Sequence, residues 1–196
     1  MGATEPLTAT TGKVGGLRLI FGAEVSCTDG HCGRVRLLVV DPRARAVTDL
    51  AVEPGHWREG RLVPVELVDT ASTEVWLRCS RAEFEALQKA EETDYGPASQ
   101  TPGMHITAWE YPVDAGDVRM RGGEPVYAAD GEIGRVRGFV AEPHSQAITH
   151  VLLDEGHLWG KKEVAIPMSA ITALGGGIGL LLTVEQVREL PSIADQ

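Results

Sequence analysis

The chain has 196 residues and a formal charge of −10, with 18 Lys and Arg against 28 Asp and Glu. Hydrophobic residues make up 43% and charged residues 23%, the balance of a globular protein and not of a disordered one. The acidic excess disfavours broad electrostatic capture of nucleic acid, and three cysteines, an odd number, make no disulfide framework, which reads as a reducing, cytoplasmic setting.

Residues 1–16 are rich in Thr and Gly and lack an apolar run, so they read as a flexible N-terminus and not a signal peptide. From residue 17 the pattern is one of short strands. Asp29-Gly30 lies between apolar runs, a hairpin signal, because Gly tolerates positive φ. Strands are expected at Arg34–Asp41, around Val47–Glu53, near Leu62–Val65 and at Thr73–Arg78. Ser80-Arg-Ala-Glu83 is a capping box, and Phe84 and Leu87 continue at helical spacing. Residues 90–117 read as a linker, with Gly96-Pro97, Pro102-Gly103 and Pro112. Trp109 and Tyr111 are expected to pack on one of the flanking modules, since exposed aromatics are costly to leave in water. The second half, residues 118–191, repeats the plan, with Thr183-Val-Glu-Gln186 opening its helix, Pro191 ending it and a short tail at 192–196. Val164–Val184 carries no charge and is long enough to span a bilayer. Pro167 and the glycines at 175, 176, 177 and 179 instead read as two strands around a turn, and no membrane span is expected.

The two halves are copies. Gly22-Ala-Glu-Val-Ser-Cys-Thr-Asp-Gly-His-Cys-Gly-Arg-Val-Arg36 aligns with Gly123-Glu-Pro-Val-Tyr-Ala-Ala-Asp-Gly-Glu-Ile-Gly-Arg-Val-Arg137, without a gap as far as Pro42 and Pro143. Val47-Thr48 then matches Ile148-Thr149, and a two-residue slip brings Val63-Pro64-Val65 onto Ile166-Pro167-Met168. One module of residues 17–89 and one of 118–191 are therefore expected, as a duplication and not a solenoid.

The block from Thr149 to Ile171, with the preceding Asp-Gly-x-x-Gly-Arg-Val strand entry, resembles the PRC-barrel family. That family includes the cytoplasmic domain of the photosynthetic reaction-centre H subunit and the C-terminal domain of a ribosome maturation factor. The resemblance implies a small β-barrel that acts chiefly as a docking module, and it brings no catalytic residues. The H subunit has a membrane anchor that the present pattern lacks, and the maturation factor carries a single such module. The expected fold is mainly β: two tandem PRC-like barrels, each followed by a short helix. Barrels this narrow are filled by side chains, which moves function to the outside.

Strict alternation places Val35, Leu37 and Val39 on one face, matched by Val136, Gly138 and Val140. The opposite face then carries Arg34, Arg36 and Leu38, matched by Arg135, Arg137 and Phe139, with Leu152 on the next strand. Leu38, Phe139 and Leu152 would be exposed in an isolated module, so this face is the candidate interface, between modules or with a second chain. Its arginines are expected to pair with acids such as Asp49 or Glu53, with phosphate recognition as the competing use.

His56-Trp57 and His157 with Trp159 recur after a glycine and form a candidate loop site. A histidine bonding a loop carbonyl is the expected role there, with a proton-handling pair as the alternative. Cys27, His31 and Cys32 are potential zinc ligands, but a fourth is not in sight, and Ala128, Glu132 and Ile133 replace them in the other copy. Neither a metal nor a cofactor is assigned. Gly30-x-x-Gly33 and Gly131-x-x-Gly134 lack the strand-to-helix context of a nucleotide loop and read as hairpins with bulges. No nucleophile stands beside a base at motif spacing, so no enzyme is expected. The expectation is a non-enzymatic protein–protein docking protein with an unidentified protein partner, its modules packed together or paired in a homodimer. The alternatives are an RNA- or ribosome-associated factor and an accessory to a membrane electron-transfer complex.

Overall fold

The computed structural model describes residues 15–55, 59–89, 114–154 and 163–191, and the backbone of 91–95 and 106–110. The first half contributes β1 (Leu17–Ile20), β2 (Glu24–Cys27), β3 (Gly30–Asp41), β4 (Ala46–Glu53) and β5 (Arg61–Pro64). A 3-10 turn at Val65–Leu67 leads to β6 (Val68–Ala71), β7 (Glu74–Leu77) and helix α1 (Arg81–Ala86). Within the linker, β8 (Glu91–Tyr95) and β9 (Ile106–Glu110) pair as an antiparallel sheet of their own, which the Pro- and Gly-rich composition concealed. Trp109 lies in β9; its side chain and Tyr111 fall outside the described residues. The second half repeats the series with β10 (Val118–Arg121), β11 (Pro125–Ala128), β12 (Gly131–Ala141), β13 (Ile148–Asp154) and β14 (Glu163–Pro167). A second 3-10 turn, Met168–Ala170, precedes β15 (Ile171–Leu174), β16 (Ile178–Leu180) and helix α2 (Val184–Arg188).

Local chemistry explains the boundaries. Both capping boxes form: Ser80 Oγ accepts from the Glu83 amide while the Glu83 carboxylate accepts from the Ser80 amide, and Thr183 and Gln186 do the same. Asp29 and Asp130, read from sequence only as turn residues, also tie hairpin to helix. Each accepts a hydrogen bond from the first helical amide, Arg81 N–H or Val184 N–H, at 2.8 Å. The uncharged stretch is β14, a 3-10 turn, and the β15–β16 hairpin around Gly175–Gly177. Among the described residues no helix is long and apolar enough to cross a membrane.

Each half is the body of one mostly antiparallel sheet, in the order β5-β4-β3-β2-β7-β6 and β14-β13-β12-β11-β16-β15. The β2–β7 and β11–β16 pairs are parallel. The expected closed barrels are curled, open sheets, because the end strands β5 and β6, and likewise β14 and β15, are not hydrogen-bonded to each other.

The sheets do not coincide with the sequence halves. β1 pairs antiparallel with β12 of the second sheet (Leu17 opposite Ala141, Leu19 opposite Phe139), and β10 pairs with β3 of the first (Val118 opposite Val40, Met120 opposite Leu38). The cause lies in strand length. β3 has 12 residues and β2 only 4, so Leu37–Val40 would keep an unpaired edge. Unpaired backbone groups are costly when buried, and a strand from the other half satisfies them. The registers are equivalent under the repeat, so the chain is an intramolecular strand exchange with pseudo-two-fold symmetry. At the axis the two β3–β4 and β12–β13 turns meet. Val47 N–H donates to Gln146 O at 3.1 Å and Ile148 N–H to Arg45 O at 2.8 Å, around an Ala46–Ala147 bridge. Arg45 and Gln146 sit at φ 52° and 57°, a left-handed geometry that costs a side-chain-bearing residue about 1 kcal/mol or more.

One core runs through both halves. It contains Leu19, Met120, Leu38 and Phe139 together with Val25, Leu50, Val151 and Ile166, and the Phe139 ring meets Phe21 edge-on at 6.3 Å. The strict alternation expected along β3 does not hold. A bulge between Val35 and Leu37 advances the strand by one residue, so Val35, Leu38 and Val40 face the main core. Leu37 and Val39 turn the other way, into a second buried cluster with Ala51 and Leu62. The same irregularity between Val136 and Gly138 sends Phe139 inward. A single inserted residue inverts every side chain beyond it, and this is why the expected outer face proved wrong past Arg36.

Candidate functional site

The residues proposed from sequence as an exposed interface are distributed in two ways. Leu38, Phe139 and Leu152 are fully buried at 0% exposure. Leu38 and Phe139 lie opposite Met120 and Leu19, on strands supplied by the other half. The four arginines stay at the surface, each against an acid. Arg34 pairs with Glu24, Arg36 with Glu53 at 3.5 Å, and Arg135 with Glu132 at 2.9 Å. Arg137 reaches Glu163 at 3.7 Å and Asp154 at 3.9 Å. Glu163 also takes Arg18 of the exchanged strand at 2.9 Å, an ion pair that crosses between halves.

All three cysteines are free and buried. Burial raises the Cys27 thiol to about 12 and the Cys79 thiol to about 11, and raises Cys32 as well, so all three are protonated at neutral pH. Cys32 sits at the hairpin bulge, its Sγ 3.2 Å from Val25 O. Among the described residues no group of three His, Cys, Asp or Glu is arranged to hold a metal ion. His31 instead faces Glu24 at 3.4 Å. His56, Trp57, His157 and Trp159 lie outside the described residues.

Two half-buried titratable groups occupy equivalent places on β4 and β13. Asp49 stands opposite Val39 and Pro64, and His150 opposite Val140 and Pro167. Burial favours the neutral form of each. It raises the Asp49 carboxyl, assisted by Glu66, Asp117 and Asp114, against a lowering hydrogen bond from Thr48. It lowers the His150 imidazole.

Two features escaped the sequence reading. The first is a pair of exposed aromatics. Trp76 on β7 is 46% exposed beside Ser26 of β2, and Tyr127 on β11 is 45% exposed beside Gly179 of β16. Ser26 and Tyr127 are repeat equivalents, as are Trp76 and Gly179. Each half therefore sets one large ring on its parallel strand pair, from opposite strands. Leu181, just after β16, is also exposed, at 62%. The signal available in sequence was reciprocal replacement, an aromatic facing a small residue in both copies.

The second feature is a cavity of about 830 Å³ in the first half, lined by His31, Cys32, Pro54, Glu59, Arg61, Arg81, Phe84, Glu85 and Lys89. Pro54 and Glu59 flank the His56-Trp57 segment in sequence. The Arg61 side chain is only 11% exposed. Its Nε donates to Glu85 O at 3.1 Å, and its Nη1 donates to Glu59 O at 3.0 Å and Gly60 O at 3.2 Å. Lys89 Nζ pairs with Glu59 at 2.8 Å.

A comparison with protein-family models finds no match, and a comparison with curated proteins likewise finds none. What stands is a mainly β, two-unit architecture of curled sheets with trailing helices.

Proposed function

We propose that the protein is a non-enzymatic, cytoplasmic docking protein of PRC-barrel-like type, and that its partner engages the parallel strand pairs β2–β7 and β11–β16. The observation that carries this reading is the placing of Trp76 and Tyr127, each nearly half exposed, at related positions of the two halves. Large aromatics left at a surface are enriched where proteins bind one another. The apolar residues first suspected of that role are used up inside the molecule. Ion-paired arginines at positions 34, 36, 135 and 137 give less support to an RNA-binding reading, since phosphate would have to displace an acid at each.

The test is photocrosslinking in living source cells, with benzoylphenylalanine at position 76 or 127 and at Arg43, a turn position, as control. The expected result is one protein adduct of defined mass from 76 and 127 and none from 43. Identical adduct patterns at all three positions would overturn the reading.

A further inference from the structure

We propose that the cavity of the first half binds a small organic phosphate, with Arg61 and Arg81 as its anion-holding residues. Arg61 is a guanidinium fixed in advance. Three main-chain carbonyls hold its Nε and Nη1, while Nη2 makes no hydrogen bond among the described residues. Its ion-pair partner among the described residues, Glu59, lies 3.8 Å from Nη1 and is engaged at 2.8 Å by Lys89. Arg81 lines the same cavity and makes no ion pair among the described residues. Three cations, Arg61, Arg81 and Lys89, thus line the cavity with two carboxylates, Glu59 and Glu85, and with His31. This local positive excess stands in a chain of net charge −10.

The duplication supplies an internal control. Val52 opposes Arg61 on the first sheet, and its equivalent Leu153 opposes Val164 on the second. Ser80 and Thr183 cap equivalent helices, so Arg81 matches Val184 and Phe84 matches Val187. Cys32 matches Ile133. The second half therefore builds the same corner from Ile133, Val164, Val184 and Val187. Charge is not absent there, since Glu132 and Arg188 stand in place of His31 and Glu85, but both arginine positions are apolar in the second half.

Ligand class follows from the chemistry of the lining. Guanidinium forks suit phosphate and carboxylate, and Arg61 Nη2 and the Arg81 guanidinium are the donors in this lining that the described acids leave to the oxygens of a phosphate monoester. The volume lies in the range of small-molecule sites and well above that of phosphate alone. Phe84, Pro54 and Cys32 offer an apolar wall to the organic part.

The test is titration calorimetry on the full chain at fixed ionic strength, with ribose 5-phosphate, inorganic phosphate and ribose as probes. One-to-one binding of ribose 5-phosphate, weaker binding of inorganic phosphate and none of ribose are expected. Arg61→Val and Arg81→Val install the second half's residues; each is expected to weaken ribose 5-phosphate at least tenfold, Arg81→Val without lowering the melting temperature, while Arg43→Ala leaves affinity unchanged. If Arg61→Val fails to fold, Arg81→Val alone decides. Absence of binding by both phosphates, equal binding of ribose, or unaltered affinity in Arg81→Val would overturn the assignment.

Discussion

Gly138 shows how narrowly one residue sets this architecture. A Cβ there would collide with the backbone carbonyl of Leu19 and come within 2.9 Å of the Ile20 Cα, both on the exchanged strand. Gly138→Ala is expected to cost about 1–3 kcal/mol, the range for forced overpacking, as a lowered urea midpoint. Asp49 carries a second residue-scale prediction, with the sign fixed by its raised carboxyl. The folded state holds that proton more tightly than the unfolded state, so the Asp49 contribution becomes more favourable as pH falls from neutral through its folded value. His150, lowered by burial, works in the opposite sense, because the unfolded chain binds more protons near pH 6, and stability is lost as pH falls there. Asp49→Asn should therefore raise the melting temperature at pH 7 and flatten its rise towards acid, and His150→Gln should remove the loss near pH 6. Equal pH profiles for wild type and both variants would refute this. The type of these residues was legible in sequence. Their burial was not, because it depends on a bulge that advances β3 and β12 by one residue.

At the scale of elements, local signals were read well wherever the cause was local. The Ser80 and Thr183 caps, the Asp-Gly hairpins and the Gly175–Gly177 turn all rest on contacts within a few residues, and all formed as read. β1 was missed as an element, since Leu17-Arg-Leu-Ile has no partner in its own half and strand pairing is decided by distant chain. The same distance hid the cavity, whose arginines come from β5 and the start of α1. Removing residues 1–21 should therefore injure the far sheet. Amide hydrogen exchange in the deletion variant is expected to rise most along Gly138–Ala141, the segment that β1 covers, and less in β5–β7. Protection of Gly138–Ala141 equal to that of the intact chain would contradict the exchange.

For the whole molecule, each half leaves part of its longest strand for the other to complete, and one apolar core serves both. Fragments 1–100 and 101–196 produced together are expected to co-purify in equal amounts and to melt as one cooperative unit. Produced separately, neither should behave as a folded monomer. A monomeric fragment with its own sharp thermal transition would show that the halves are independent. The repeat was plain in the sequence, but its intertwining was not, because beads on a string and exchanged strands need the same residues. Only the unpaired edge of a 12-residue strand beside a 4-residue neighbour separates the two arrangements.

The axis through Ala46 and Ala147 has a genetic consequence. Were the two halves separate identical polypeptides, any substitution would show up on both sides at once, and a costly cation in one corner would be doubled in the other. Joined in a single reading frame, the halves drift apart freely while the shared scaffold stays the same. Arg61 lining a cavity where its counterpart is the apolar Val164 is the imprint of that freedom: a symmetric frame licensed to specialise on one side only.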